Sequence, residues 1–254
     1  MFNIYFTQQS AKHKRVNQDA LFNGIEVYQY ILKLAEKVML QKESVIIGIA
    51  YGGSHSPNSQ LASRFFMNQL KTCASLSASW LRYQHKLFCE TYSEKYLGSA
   101  TTFVACQIDN DGLVNLINVG NSRAYKISEN GKWQQISQDH TLISILKADG
   151  IAIEDVEYSG LYSGLESCLI ADFEETDFQI FSHTFYLQQD EVIYLQQDEV
   201  ILLCSDGLTD FIPEKVREQI WQQYENIEEK ITAYRKYAKR QRFNDDFSVI
   251  VCRR

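Results

Sequence analysis

The sequence predicts an α+β domain, and three observations carry that expectation. Short apolar runs, such as SVIIGIA from Ser44 to Ala50 and VILLC from Val200 to Cys204, have the length and bounding turns of buried strands. Strong turn chemistry separates paired runs, as at Asp109-Asn110-Asp111-Gly112. Segments with apolar residues at helical spacing fall into two groups, one opening at Pro57 and one at Pro213.

Composition bounds the rest. No stretch of the 254 residues reads as a linker, so residues 1–254 are taken as one domain. With 45% hydrophobic residues, 15 Tyr and 14 Phe, the chain can bury a sizeable core, and only two prolines interrupt its elements. A formal charge of −7 argues against nucleic acid as a partner, since phosphate backbones require a basic footprint. No apolar run reaches the roughly 18 residues of a membrane span, and MFNIYFTQQS lacks the layout of a secretory signal. A cytoplasmic protein with no membrane partner is expected. Cys73, Cys89, Cys106, Cys168, Cys204 and Cys252 are scattered without a C-x-x-C pair and read as reduced, small hydrophobes.

In chain order, Asn3 to Gln8 reads as a strand leading into the polar stretch Lys14-Arg15-Val16-Asn17-Gln18-Asp19-Ala20. Ile31 to Lys42 contains helix formers without a clear period and is read as a helix or a long excursion. The strand from Ser44 ends in Tyr51-Gly52-Gly53-Ser54-His55. Two helices are expected next. Pro57-Asn58-Ser59 opens the first, with Leu61, Phe65, Phe66 and Leu70 on its apolar face; the second runs from about Ser75 to Tyr92. His85 lies on this second helix, and a lone helical histidine is more often a packing residue than a ligand; His13, His55, His140 and His183 fall in no metal spacing either.

Gly98-Ser99-Ala100-Thr101-Thr102 enters a strand that turns at Asp109–Gly112 and returns into Asn118-Val119-Gly120-Asn121-Ser122-Arg123-Ala124-Tyr125. A second hairpin turn is read at Ser128-Glu129-Asn130-Gly131, and Ile136-Ser137-Gln138-Asp139-His140-Thr141-Leu142 leads into a helix. YSGL is repeated from Tyr158 and Tyr162, and YLQQDEVI from Tyr186 and Tyr194. The octapeptide is too short for a solenoid unit; its even length preserves strand alternation, so it gives a longer hairpin or a bulged-out loop, with slippage in the gene the favoured origin. The apolar run from Val200 delivers Asp206 and Asp210 to a strand end, with Gly207 breaking the strand after the first. A helical segment follows from about Pro213 to Lys239, in one piece or in two meeting near Asn226, and Asn244-Asp245-Asp246-Phe247-Ser248-Val249-Ile250-Val251 closes the chain as a strand.

Each of these motifs is short, but their ordered set resembles metal-dependent protein phosphatases of the PP2C (PPM) family over about residues 14 to 251. CSDGLTD from Cys204 looks like the family's core motif. Lys14 to Asp19 is similar to R-x-x-N-E-D, with Lys14 for the arginine and Gln18 for the glutamate. Gly48-Ile49-Ala50-Tyr51-Gly52 is similar to G-I-A-D-G, with Tyr51 at the aspartate; a register that matches Gly52-Gly53 instead puts Ile49 there, and neither register supplies a carboxylate. Asn118 to Tyr125 resembles N-V-G-D-S-R-A-Y, with Asn121 for the aspartate.

The resemblance implies an α-β-β-α sandwich, two antiparallel sheets flanked by helix pairs, with carboxylate-bearing loops at one end. In the family, two Mn²⁺ or Mg²⁺ ions about 3.5–4 Å apart generate hydroxide and neutralise the phosphoryl group. Carried onto this chain, Asp206 and Asp245 are the expected metal ligands, Asp19 and Asp210 lie in the surrounding shell, Gly52 offers a carbonyl and Lys14 stands where an arginine grips phosphate. The missing bridge weighs against a metal pair. Two divalent ions at that separation repel by on the order of 15–20 kcal/mol at an effective dielectric near 20, and the phenol of Tyr51 is mostly neutral at pH 7. At most one Mn²⁺ or Mg²⁺ site is expected. The leading expectation is a pseudophosphatase that binds a phosphorylated protein or a protein kinase. The alternatives are a divergent active Ser/Thr phosphatase and a structural subunit, and Asp206 and Asp245 as mere turn caps stand beside metal binding.

Overall fold

Strands buried on both faces carry continuous apolar sequence, and the central strands here do so because each lies between a helix layer and a second sheet. The computed structural model describes residues 1–32, 34–53, 56–153, 164–173, 178–183, 199–242 and 244–254. One six-stranded sheet has the order β10 (Trp133–Gln135), β9 (Arg123–Ile127), β13 (Val200–Cys204), β14 (Phe247–Arg253), β1 (Phe2–Gln9), β4 (Glu36–Leu40). The other has the order β12 (Phe181–His183), β8 (Val114–Val119), β7 (Phe103–Asp109), β5 (Ser44–Ala50), β2 (Ala20–Phe22), β3 (Val27–Tyr28). All neighbours within both sheets are antiparallel. A short pair, β6 (Ala100–Thr101) and β11 (Leu169–Ile170), stands apart.

The layers follow from alternation along the strands. Phe2, Ile4 and Phe6 of β1, Ile201 and Leu203 of β13 and Ile250 of β14 face Ile47, Ile49, Val104 and Leu116 of the second sheet, making the central core. The alternate residues Tyr5, Leu202, Cys204, Val249 and Val251 pack on α5 (Glu214–Gln223) and α6 (Ile227–Arg240) through Ile220, Trp221, Ile231 and Tyr234. On the far side, Ala50, Phe103, Ala105 and Ile117 pack on α1 (Ser59–Gln69) and α2 (Ala78–Tyr96) through Phe66, Met67, Leu81 and Phe88. The expected sandwich of helices, two antiparallel sheets and helices is present.

Most elements lie where the sequence puts them. The turn at Gly112 has φ 96° and that at Gly131 φ 79°, each closed by an N–H donated to the carbonyl three residues earlier. The helix expected after Thr141 is α3 (Leu142–Ala148), and the one after Pro213 is in two pieces separated at 224–226. α2 begins at Ala78 rather than near Ser75, because the Ser77 hydroxyl accepts the Trp80 N–H at 3.2 Å and sets the cap. His85 is a packing residue, 3% exposed, with Nε2 2.8 Å from the Ile170 carbonyl, and the six cysteines, all among the described residues, are thiols rather than disulfides.

One expectation is corrected. The segment read as a helix or excursion contains β4, paired with β1 from Phe2↔Leu40 to Phe6↔Glu36. The helix formers there are overridden by the open edge of β1, which supplies a full ladder of backbone partners. The YLQQDEVI duplication falls almost wholly, and the YSGL repeat largely, outside the described residues, as does His55.

Gly207 does not simply end a strand. It lies in the short helix α4 (Asp206–Thr209), and a Cβ there would stand 2.0 Å from the Asp246 carbonyl oxygen. Only glycine allows β13 and the residues before β14 to approach so closely. Gly207→Ala is therefore expected to cost at least about 2–3 kcal/mol in urea denaturation, whereas Gly53→Ala, whose Cβ would meet its nearest neighbour at 3.5 Å, stays close to neutral.

Candidate functional site

Antiparallel pairing brings one set of strand ends together. Gln9 at the end of β1 pairs with Phe247 at the start of β14, and Cys204 at the end of β13 pairs with Val249 and with Arg123 at the start of β9. In the other sheet, Ala50 at the end of β5 pairs with Ala20, and Val119 at the end of β8 pairs with Phe103. The connection from β1 to β2, residues 10–19, crosses from one sheet to the other at this end. Lys14, Gln18, Asp19, Tyr51, Gly52, Asn121, Asp206, Asp210, Asp245 and Asp246 all belong to these ends or to the residues beside them.

Asp246 fastens the crossing segment. Its Oδ1 accepts the Ala11 N–H at 2.7 Å and its Oδ2 accepts the Gln18 N–H at 2.8 Å, with the side chain fully buried. Asn244 Oδ1 adds the Lys12 N–H at 3.1 Å. Behind them lies a polar set in otherwise apolar strands. The Ser248 hydroxyl donates to Asp19 Oδ2 at 2.7 Å and accepts from Gln8 Nε2 at 3.0 Å, and Ser205 Oγ accepts the Ser248 N–H at 3.0 Å. Of these, Gln8 and Ser248 are not among the expected site residues. The signal that could have found them is the register itself: Gln8 and Ser248 are polar at positions facing the other sheet, opposite one another in the β1–β14 ladder.

Asp245 is gripped from two sides. Lys14 Nζ donates to Oδ1 at 2.5 Å and to Asp246 Oδ2 at 3.3 Å, while the Tyr51 hydroxyl donates to Oδ2 at 3.1 Å. The Asp246 N–H adds a further bond to Oδ1 at 2.7 Å. Tyr51 is 6% exposed, and its backbone is held in place by Thr101 and Thr102: its N–H donates to Thr102 Oγ1, and its carbonyl accepts from Thr102 N–H and the Thr101 hydroxyl. Asp206, 8% exposed, stands apart from this grip. The Asn121 side-chain amide donates to its Oδ2 at 3.3 Å, and among the described residues Oδ1 has no hydrogen-bond partner. Asp19 Oδ1, Asn121 Oδ1 and Gln18 Oε1 are likewise buried without one. The Gln18 amide nitrogen turns to Ser59 Oγ at 2.7 Å, and Gly52 lets the Gln18 carbonyl come within 2.5 Å of where a Cβ would be. Asp210 caps α4 through its N–H to the Asp206 carbonyl and leaves its side chain exposed.

The electrostatics register an excess of acid. Burial, then repulsion from Asp210, Asp245 and Asp19, pushes the Asp206 carboxyl well above the usual carboxylate range. Burial, then the charge of Asp246, does the same to Asp19. At Lys14 burial works against the charge, but the bond to Asp245 and the fields of Asp246, Asp245 and Asp19 outweigh it and hold the ammonium above its ordinary range.

These residues do not fit a pair of metal ions. Both oxygens of Asp245 are taken by protein donors, the residue that the resemblance puts at the bridging position is a phenol, and no three His, Cys, Asp or Glu side chains among the described residues converge into a set that could hold a metal. Among the described residues, the buried oxygens without a hydrogen-bond partner at this end include those of Asp206, Asp19, Asn121, Gln18 and Gln8, the last three of neutral amides.

No protein-family model matches the chain, and no curated protein matches it. Solved structures do. The chain is similar to the serine/threonine phosphatase Stp1 from Staphylococcus aureus, with a TM-score of 0.73 and 19% identity over 100% of this chain and 95% of that one. It is similar to the PPM Ser-Thr phosphatase MsPP from Mycobacterium smegmatis in complex with cacodylate, with a TM-score of 0.72 and 15% identity over 98% and 97%. A third is the catalytic domain of the serine/threonine protein phosphatase PstP in complex with 2 manganese ions, with a TM-score of 0.70 and 16% identity over 100% and 99%. At these identities the likeness is one of fold, and the fold is PP2C-like.

The Asn121–Asp206 contact yields a direct test. Asn121→Asp exchanges a donor for a second carboxylate beside Asp206, and is expected to lower metal-free stability by about 1–3 kcal/mol. Added Mn²⁺ should restore part of that loss in the variant and shift the melting of the wild type much less.

Proposed function

We propose that this chain is a PP2C-like domain with an incomplete two-metal site, a pseudophosphatase that acts as a phosphoprotein-binding or regulatory module toward a phosphorylated protein or a protein kinase. The observation that carries the reading is Tyr51. It occupies the position of the bridging aspartate in the family's G-I-A-D-G motif, and its hydroxyl donates to Asp245 where a carboxylate would share a metal. A phenol there adds no negative charge and occupies an oxygen that a metal needs. Asn121 removes a second charge at the position of another expected aspartate. The fold likeness to Ser/Thr phosphatases supports a phosphorylated protein as the partner class, and the PstP structure with its manganese ions is the form of site from which this chain departs.

A second reading, a divergent active phosphatase, rests on the buried Asp206 Oδ1, a carboxyl oxygen with no hydrogen-bond partner among the described residues. A single Mn²⁺ or Mg²⁺ held by Asp206 is what that reading requires. Calorimetric titration and phosphopeptide hydrolysis separate the two. The expected wild-type result is phosphopeptide binding without turnover in Mn²⁺ or Mg²⁺, and Tyr51→Asp is expected to raise Mn²⁺ affinity at least about ten-fold, or about 1.4 kcal/mol. Mn²⁺-dependent hydrolysis by the wild type that disappears in Asp206→Ala would establish the second reading instead.

A further inference from the structure

The position of Lys14 calls for an explanation of its own. By resemblance it stands where an arginine would reach outward to a phosphoryl group, yet here the side chain is 12% exposed and turned onto Asp245 and Asp246. Two bonds at 2.5 and 3.3 Å from a single nitrogen to two different carboxylates are the geometry of a compact point charge. Arginine, a planar fork, favours bidentate pairing with one carboxylate; lysine, a rotatable ammonium on a flexible stem, can sit between two. The exchanges at 14, 51 and 121 therefore form a set. Tyr51 and Asn121 each replace an expected carboxylate with a neutral group, and Lys14 supplies a positive charge from within the chain to those that remain. With the Tyr51 hydroxyl on Oδ2 and Lys14 on Oδ1, Asp245 has no side-chain oxygen left without a protein donor.

We infer that Lys14 is a resident cation: its ammonium takes the place of a divalent ion at Asp245 and Asp246, closes the centre with the help of Tyr51, and makes the fold independent of metal. The inference deepens the pseudophosphatase reading and rests on it, because it assigns the loss of metal binding to an occupying side chain as well as to a missing ligand. It also gives Lys14 a role distinct from holding phosphate. Lys14 is a positioning residue that holds Asp245 against the crossing segment.

The test uses Mn²⁺ itself as probe, with binding followed by the electron paramagnetic resonance of free Mn²⁺ and melting followed with Mn²⁺ or EDTA. The wild type is expected to melt at the same temperature in both. Lys14→Met, which keeps the length of the stem and removes the charge, is expected to melt lower in EDTA, to recover with Mn²⁺, and to bind Mn²⁺ at least about ten-fold more tightly than the wild type. Equal Mn²⁺ affinity in the two proteins, or a wild type stabilised by Mn²⁺ as much as the variant, overturns the inference. Should Lys14→Met fail to fold, the wild type still decides: a slowly exchanging ¹H–¹⁵N signal of the Lys14 ammonium, lost in Asp245→Asn, supports residence, and its absence from the wild type refutes it. Phosphopeptide hydrolysis on the same wild-type preparation keeps the two ideas apart. Mn²⁺-dependent turnover would remove the pseudophosphatase reading, whereas an inactive wild type whose Mn²⁺ affinity is indifferent to Lys14→Met removes the resident cation alone.

Discussion

Two distant parts of the chain meet on Asp245, the crossing segment through Lys14 and the end of β5 through Tyr51, beside the N–H of its neighbour Asp246. A charge-assisted bond of this kind contributes about 1.5–3 kcal/mol, but its larger consequence is what its absence would leave. Asp19, Asp206 and Asp246 are buried nearby, with Asp19 and Asp206 already held toward their neutral forms by burial and mutual repulsion. Removing the Lys14 ammonium, which touches Asp245 and Asp246, would leave the cluster without a close counter-charge, and the cost of a buried unpaired charge exceeds the gain from any single surface pair. The site end of the sandwich is thus organised around neutralising acid.

The geometry that assembles this acid does not depend on a metal. Antiparallel registry sets which strand ends meet, the Asp246 carboxylate staples the crossing segment by two backbone N–H groups, and Gly207 admits the Asp246 carbonyl at a distance no other residue permits. Gly52 does the same for the Gln18 carbonyl. These contacts are steric and hydrogen-bonded, so they survive changes at positions 51 and 121. A fold held this way can lose a ligand and keep the shape in which the ligand once made sense.

That separation explains what was legible from the sequence. The two sheets could be read because buried strands and tight turns leave local patterns: SVIIGIA, VILLC, and the turns at Gly112 and Gly131 each announce themselves within a few residues. β4 could not, since Glu36 to Leu40 becomes a strand only through its pairing with the open edge of β1, a contact spanning thirty or more positions of the chain. The site was legible in its motif positions, which the structure brings to one end, and illegible in its interior. Asp246 appeared only as one residue of the stretch entering the closing strand, with no hint that it binds two backbone amides of a segment over 200 residues earlier. Gln8 and Ser248 had only their inward register to mark them.

The inward turn of Lys14 is of the same kind, because a sequence fixes the type and position of a side chain but not which of two anions it will meet. An outward ammonium would be hydrated and mobile, whereas an inward one loses water and side-chain freedom. The inward state prevails here because three carboxylates, Asp245, Asp246 and Asp19, all act on the same nitrogen and together outweigh its burial. Had Tyr51 been an aspartate, the same pocket would add a further carboxylate to the Asp245 and Asp246 that the single ammonium already serves, and a divalent cation would compete for it. The identity of residue 51 therefore bears on the direction of residue 14, and the two substitutions are one electrostatic arrangement rather than two independent losses.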